Sequence, residues 1–140
     1  MKSKAYQKAL SIARKNGPSE DAYNHLKTAI SEGDHRASYA LATWYLHGAH
    51  VKKDHKKAVA LLKKAANHDL ADAAFDLAVC YEKGEGVKKD LAQAAAMYLR
   101  ALRCGDSSAA KELYRMFYWG IGVAKNRKAA IEFSKMMGNA

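Results

Sequence analysis

Three valines set the frame of this chain. Val51, Val87 and Val123 stand 36 residues apart, since 87−51 and 123−87 are both 36. Their neighbours keep the same register. Gly48, Gly84 and Gly120 precede them by three, and Tyr45, Tyr81 and Phe117 by six. Asp54, Asp90 and Asn126 follow by three, and Ala58, Ala94 and Ala130 by seven. A fixed period of this size means a stacked array of units, each too small to bury its apolar face alone.

Within one copy the pattern is helical. Ala73, Leu77 and Tyr81 fall at i, i+4 and i+8, on one helix face. Gly84 sits where a helix end needs a left-handed residue, and Gly86 frees the turn after it. Val87 is an apolar plug inside that turn. Asp90 has N-cap chemistry for a second helix, whose buried face runs through Ala94, Met97, Tyr98, Ala101 and Leu102 before Gly105 ends it. One repeat is therefore a hairpin of two short antiparallel helices. A single proline, abundant alanine and no alternating β-branched run agree with an all-α chain.

The expected architecture is a right-handed α/α solenoid of four hairpins in one domain, 1–140. It comprises a degraded copy at 1–36 and full copies at 37–72, 73–108 and 109–140. The first copy lacks the Gly-x-Gly-Val turn and has Lys15-Asn16-Gly17-Pro18-Ser19 instead. In the second, His50 replaces the second glycine, which predicts a strained turn. In the last, Ser134 and Gly138 stand where earlier copies carry apolar residues, the pattern of a terminal unit.

The sequence A-x-x-x-L-A-x-x-Y-x-x-G-x-G-V-x-x-D-x-x-x-A, carried by Ala73, Leu77, Ala78, Tyr81, Gly84, Gly86, Val87, Asp90 and Ala94, resembles the Sel1-like repeat family, relatives of tetratricopeptide repeats. The resemblance implies a non-enzymatic adaptor or scaffold that binds a peptide or protein. It also admits a bacterial immunity protein that neutralises a toxin. Tyr114 departs from it, standing where the family has a small residue.

In such a solenoid the first helix of each hairpin lines the concave side. The stripe left free by the repeat pattern then runs through Tyr39, Thr43 and His47, next through Phe75, Val79 and Lys83, and last through Lys111, Arg115 and Trp119. Gln7 and Ser11 extend it in the first copy, and Glu82 and Tyr118 flank it. Aromatic and arginine side chains together have the composition of a binding hot spot. The expected groove is apolar in its middle and basic toward its C-terminal end, suited to a partner with apolar anchors and an acidic end.

The net charge is +10, from 24 Lys and Arg against 14 Asp and Glu. Much of the excess recurs at one place in the repeat. Lys52, Lys53, Lys56 and Lys57 lie at a turn and the start of a second helix, Lys88 and Lys89 at its next occurrence, and Lys125, Arg127 and Lys128 at the third. This edge is either a solvated, solubilising surface or a contact for phosphates or anionic lipid, with nucleic acid the less favoured partner. The solvated edge is the preferred reading, although lysines beside helix N-termini oppose the helix dipole, which slightly raises the functional one.

Other chemistries find little support. There is no G-x-x-x-x-G-K loop and no H-E-x-x-H. The glycine pairs follow helices, so turn geometry explains them. His47, His50 and His55 straddle a turn rather than sharing a helix face, and no metal or cofactor is expected. Cys80 and Cys104 fall too far apart along antiparallel helices for a disulfide. No segment approaches the roughly 18–20 apolar residues that span a bilayer. A cytoplasmic, monomeric protein is expected, with Met136 and Met137 as residues through which copies could associate.

Overall fold

The structure, a computed structural model, describes residues 3–137. Among them are eight helices and no strand: α1 (Lys4–Asn16), α2 (Glu20–Ser31), α3 (His35–His47), α4 (His55–Ala66), α5 (Ala71–Lys83), α6 (Leu91–Arg103), α7 (Ala109–Trp119) and α8 (Arg127–Ser134). The chain is all-α, and its helices pair in sequence into four hairpins. It divides into two compact units, Met1–His68 and Asp69–Ala140. In the first unit α2 packs on α3, and in the second α6 packs on α7.

The recurring residues each have a structural task. Gly48, Gly84 and Gly120 end α3, α5 and α7 in the left-handed conformation, with φ of 71°, 72° and 72°. The next N–H donates back to Trp44, Cys80 or Met116, closing the helix end. Asp54, Asp90 and Asn126 then work twice. Their backbone N–H donates to the carbonyl of Tyr45, Tyr81 or Phe117 at 2.8–3.0 Å. Their side chains accept from the N–H of Lys57, Gln93 or Ala129 and so cap α4, α6 and α8. The aromatic rung and the cap rung are thus the two ends of one hydrogen bond across each turn, which is why they keep step.

Small residues let the helices approach. Ala58, Ala94 and Ala130 are fully buried, as are Ala42 and Ala78. Leu62 in the first unit and Leu113 and Met116 in the second are the large side chains fully enclosed. Val51, Val87 and Val123 are half-buried plugs. The first helices α3 and α5 open two residues before the expected starts at 37 and 73, because a turn begins after Asp34 and after Leu70. His50 takes φ 61°, close to the 73° and 71° of Gly86 and Gly122, so the second copy keeps the turn despite its side chain. The degraded first copy is a hairpin too, capped by Ser3 and Ser19.

Cys80 is buried and Cys104 half-buried, and both are free thiols. Burial, with Glu85 and Asp76 adding to it, pushes the Cys80 thiol up to about 11.

Candidate functional site

In the first unit the expected stripe lies along α3. Tyr39 and Thr43 are half-buried and His47 is exposed. Thr43 Oγ1 donates to the Ala40 carbonyl at 2.7 Å, and His47 Nδ1 lies 2.8 Å from the Thr43 carbonyl oxygen. Gln7 and Ser11 are exposed on α1.

In the second unit the stripe occupies α5 and α7. Phe75 and Val79 are half-buried, while Lys83 and Lys111 are exposed. Phe75 meets the ring of buried Tyr98 edge-on at 5.2 Å. Arg115 Nη2 donates to Glu82 at 2.7 Å and to Glu112 at 2.9 Å, and the Tyr98 hydroxyl donates to Glu82 at 3.0 Å. This network ties α5, α6 and α7 together. Burial works against the Arg115 charge, but the two carboxylates outweigh it and raise its pKa. Burial, with the Glu82 charge beside it, pushes the Tyr98 hydroxyl up. The expected basic end is therefore corrected in part. Arg115 already has acidic partners within the chain, while Lys83 and Lys111 form no ion pair among the described residues.

Beside Arg115 the surface is aromatic. Trp119 is 61% exposed, and its indole meets Tyr118 edge-on at 4.8 Å. Tyr118 stacks with Tyr114 at 5.5 Å, and the Arg127 guanidinium lies 4.6 Å from the Tyr118 ring centre. Tyr114, the departure from the repeat pattern, is thus half-buried in a surface aromatic cluster.

Lys52, Lys53, Lys56, Lys57, Lys88, Lys89, Lys125, Arg127 and Lys128 are all exposed, and none forms an ion pair among the described residues. Lys57 Nζ lies 5.6 Å from the ring centre of Tyr45. A hollow of about 420 Å³ opens there, lined by Tyr45, Val51, Lys52, Lys53, Asp54 and Lys57.

Two polar clusters were not anticipated. Asp34 is 2% exposed. It accepts from Ser3 N at 2.8 Å, caps α3 through Arg36 N, and pairs with the Arg36 guanidinium at 2.6 Å. The Arg36 hydrogen bond holds its carboxyl down at about 2. An Asp after Gly33 and before a helix is a recognisable cap signal. The second cluster joins His50 to Glu20 at 2.9 Å and sets its ring 6.1 Å from both Tyr23 and Trp44. His47, His50 and His55 do not converge, and no group of three metal-ligating side chains exists among the described residues. No helix there is long and apolar enough to cross a membrane.

The family model of the Sel1 repeat matches residues 35–70, 71–106 and 109–139. The chain belongs to the Sel1 repeat family. Solved Sel1-type structures resemble it closely. A Sel1 repeat protein from Oxalobacter formigenes is 26% identical with a TM-score of 0.87, over 94% of this chain and 54% of that one. The protein c5321, a protective antigen of uropathogenic Escherichia coli with an SLR fold, is 27% identical with a TM-score of 0.89, over 96% and 30%. Cysteine rich protein B of Helicobacter pylori is 28% identical with a TM-score of 0.63, over 80% and 85%. This Sel1 chain spans about half the length of the first and under a third of the second. A comparison with curated protein sequences gives no match. Sel1 repeats generally serve as protein-interaction modules, and the family is generally non-catalytic.

Proposed function

We propose that this Sel1 chain is a non-enzymatic protein-binding module that takes a peptide or protein on the first-helix stripes. In the second unit the contact face is Lys111 and Trp119 with Tyr118, flanked by Phe75, Val79, Lys83 and Arg115. In the first unit the corresponding stripe is Tyr39, Thr43 and His47. The observation that carries the reading is Trp119. A tryptophan 61% exposed, beside the Tyr114–Tyr118 stack, is unnecessary for repeat packing. Large rigid aromatics next to cations supply much contact area at little entropic cost, as binding hot spots do. Cys80 is no nucleophile for attack in this reading, since burial pushes its thiol up, away from the thiolate.

The probe must spare the scaffold. Phe75 packs on Tyr98, and Arg115 holds Glu82 and Glu112, so both also serve the fold. Trp119→Ala with Lys111→Glu changes only exposed positions. Partner capture from the native cell, compared between wild type and this variant, is expected to fall at least tenfold. Leu99→Ala, which changes an exposed apolar residue on α6, should leave capture unchanged. Equal capture by wild type and the α7 variant would refute the stripe.

A further inference from the structure

Helix α8 repeats a surface that α6 keeps covered. On α6, Leu91 and Ala95 lie one turn apart on one face. Helix α7 packs on α6, and the turn after α7 presses on this face: a β-carbon on Gly122 would stand 2.3 Å from the Leu91 carbonyl oxygen. Ala95 is 2% exposed. Arg127 and Ile131 hold the same two positions on α8, since 127−91 and 131−95 are both 36. Both are exposed, Ile131 at 53%. The open copy of the face is thus more apolar at its centre than the covered copy. Isoleucine is a poorer helix former than alanine and adds apolar area in water, so neither the helix nor solubility calls for it.

Cations surround this isoleucine. Arg127 and Lys128 precede it by four and three residues and Lys135 follows by four, so all three border it on the helix surface. Lys135 pairs with Glu132 at 3.1 Å. Arg127 rests over the Tyr118 ring at 4.6 Å, and neither it nor Lys128 forms an ion pair among the described residues. The first turn of α8 has no acidic residue to match them.

We infer that the outer face of α8 docks an acidic amphipathic helix of a protein partner, laid on α8 as α7 lies on α6 and separate from the first-helix stripes. The repeated register supplies the shape, a helix over Arg127 and Ile131. Charge supplies the composition, an apolar side chain against Ile131 with carboxylates toward Arg127 and Lys128. A second copy of this chain is a poorer occupant. Two α8 faces would set three cations and one carboxylate against the same set, and α1 offers Lys4, Lys8, Arg14 and Lys15 with no carboxylate. An anionic lipid surface takes exposed apolar side chains beside cations, and Ile131, Met136 and Trp119 are exposed. Two observations favour the helix. Glu132 stands exposed next to Ile131, where anionic headgroups would meet its charge. Trp119 belongs to α7 and packs on Tyr118, outside the register that Ile131 repeats.

The test titrates the full chain with an alanine-based helical peptide of about 18 residues, long enough to hold its helix, with a leucine stripe flanked by glutamates. A control peptide has lysine for each glutamate. The glutamate peptide is expected to bind, and to weaken as salt screens the contact, while the lysine peptide does not bind. Ile131→Ala should weaken the glutamate peptide about tenfold, and so should Arg127→Gln with Lys128→Glu. The first variant restores the alanine that α6 has at this position and raises helix propensity, so α8 still forms. The second puts an acidic residue in a first helical turn, which the helix dipole favours. Trp119→Ala with Lys111→Glu should bind the peptide like wild type, so failure of the stripe and failure of this face are separable. No binding of the glutamate peptide, equal binding of both peptides, or unchanged affinity in Ile131→Ala overturns the inference. So does self-association of the chain that Ile131→Ala abolishes, or tighter binding of phosphatidylserine vesicles than of the glutamate peptide.

Discussion

The two units make the same junction in opposite ways. In each, the second turn residue of one hairpin faces the first residue of the preceding hairpin's second helix. In the second unit these are Gly122 and Leu91. A β-carbon on Gly122 would stand 2.3 Å from the Leu91 carbonyl oxygen, so backbone meets backbone and only glycine fits. In the first unit they are His50 and Glu20. His50 holds a left-handed φ of 61° and joins Glu20 side chain to side chain at 2.9 Å. One junction is closed by contact and the other by a polar bridge with rings around it. The consensus repeat therefore specifies a close approach, and a copy that departs from it must supply specific side chains instead.

Exchanging the two solutions gives the largest expected effect. Gly122→His puts a side chain where the Leu91 carbonyl leaves no space, in a conformation that L-residues resist. Overpacking and positive-φ strain together predict a loss of about 3 kcal/mol. Denaturant unfolding measures it, and hydrogen exchange should show α7 and α8 exposed first. A loss under about 1 kcal/mol would mean that the junction in the second unit is as adaptable as that in the first.

The first unit has a second polar contact, at Asp34, and acid should open it. Asp34 holds Ser3, the start of α3 and Arg36, and its pKa is lowered from 3.8 to about 2. A depressed carboxyl contributes stability that is fully present above its ordinary pKa and is lost as pH falls through the lowered one. The expected loss is about 2 kcal/mol, spread between pH near 4 and pH near 2. Helix signal and α1 amide exchange across this range should show the first unit weakening there. Asp34→Asn should remove that slope and lower stability at neutral pH. An unchanged acid limb in Asp34→Asn would assign the sensitivity to another carboxyl.

The same contrast explains what was legible in the sequence. Residues that repeat have one task in every copy, so Gly84, Asp90 and Ala94 could be placed from spacing alone. The hydrogen bond from Asp90 N–H to the Tyr81 carbonyl is what keeps their offset constant. Residues that do not repeat act through partners distant in sequence. Arg115 has a partner legible from spacing in Glu112, three residues before it, but Glu82 lies 33 residues away and nothing in the chain announces their meeting at 2.7 Å. Asp34 gave a local cap signal, but its bond to Ser3 depends on how α1 returns to α3. The lysine edge was visible as a periodicity. That its cations form no ion pair among the described residues required the folded neighbours.

The smallest effect tests the polar junction at its centre. His50→Gly relieves left-handed strain worth about 1 kcal/mol. It adds the backbone entropy of glycine in the unfolded chain, worth about 0.5–1 kcal/mol in the opposite sense. The Glu20 end of the bridge is largely solvent-exposed, so its loss costs at most a few tenths of a kcal/mol. These terms nearly cancel, and the expected change is within about 0.5 kcal/mol. A measured loss well beyond that would locate the hold of this junction in the packing of His50 against Tyr23 and Trp44, whose ring centres lie 6.1 Å away. Tyr23→Leu in the His50→Gly background would then add little further loss, whereas in wild type it would reproduce most of it.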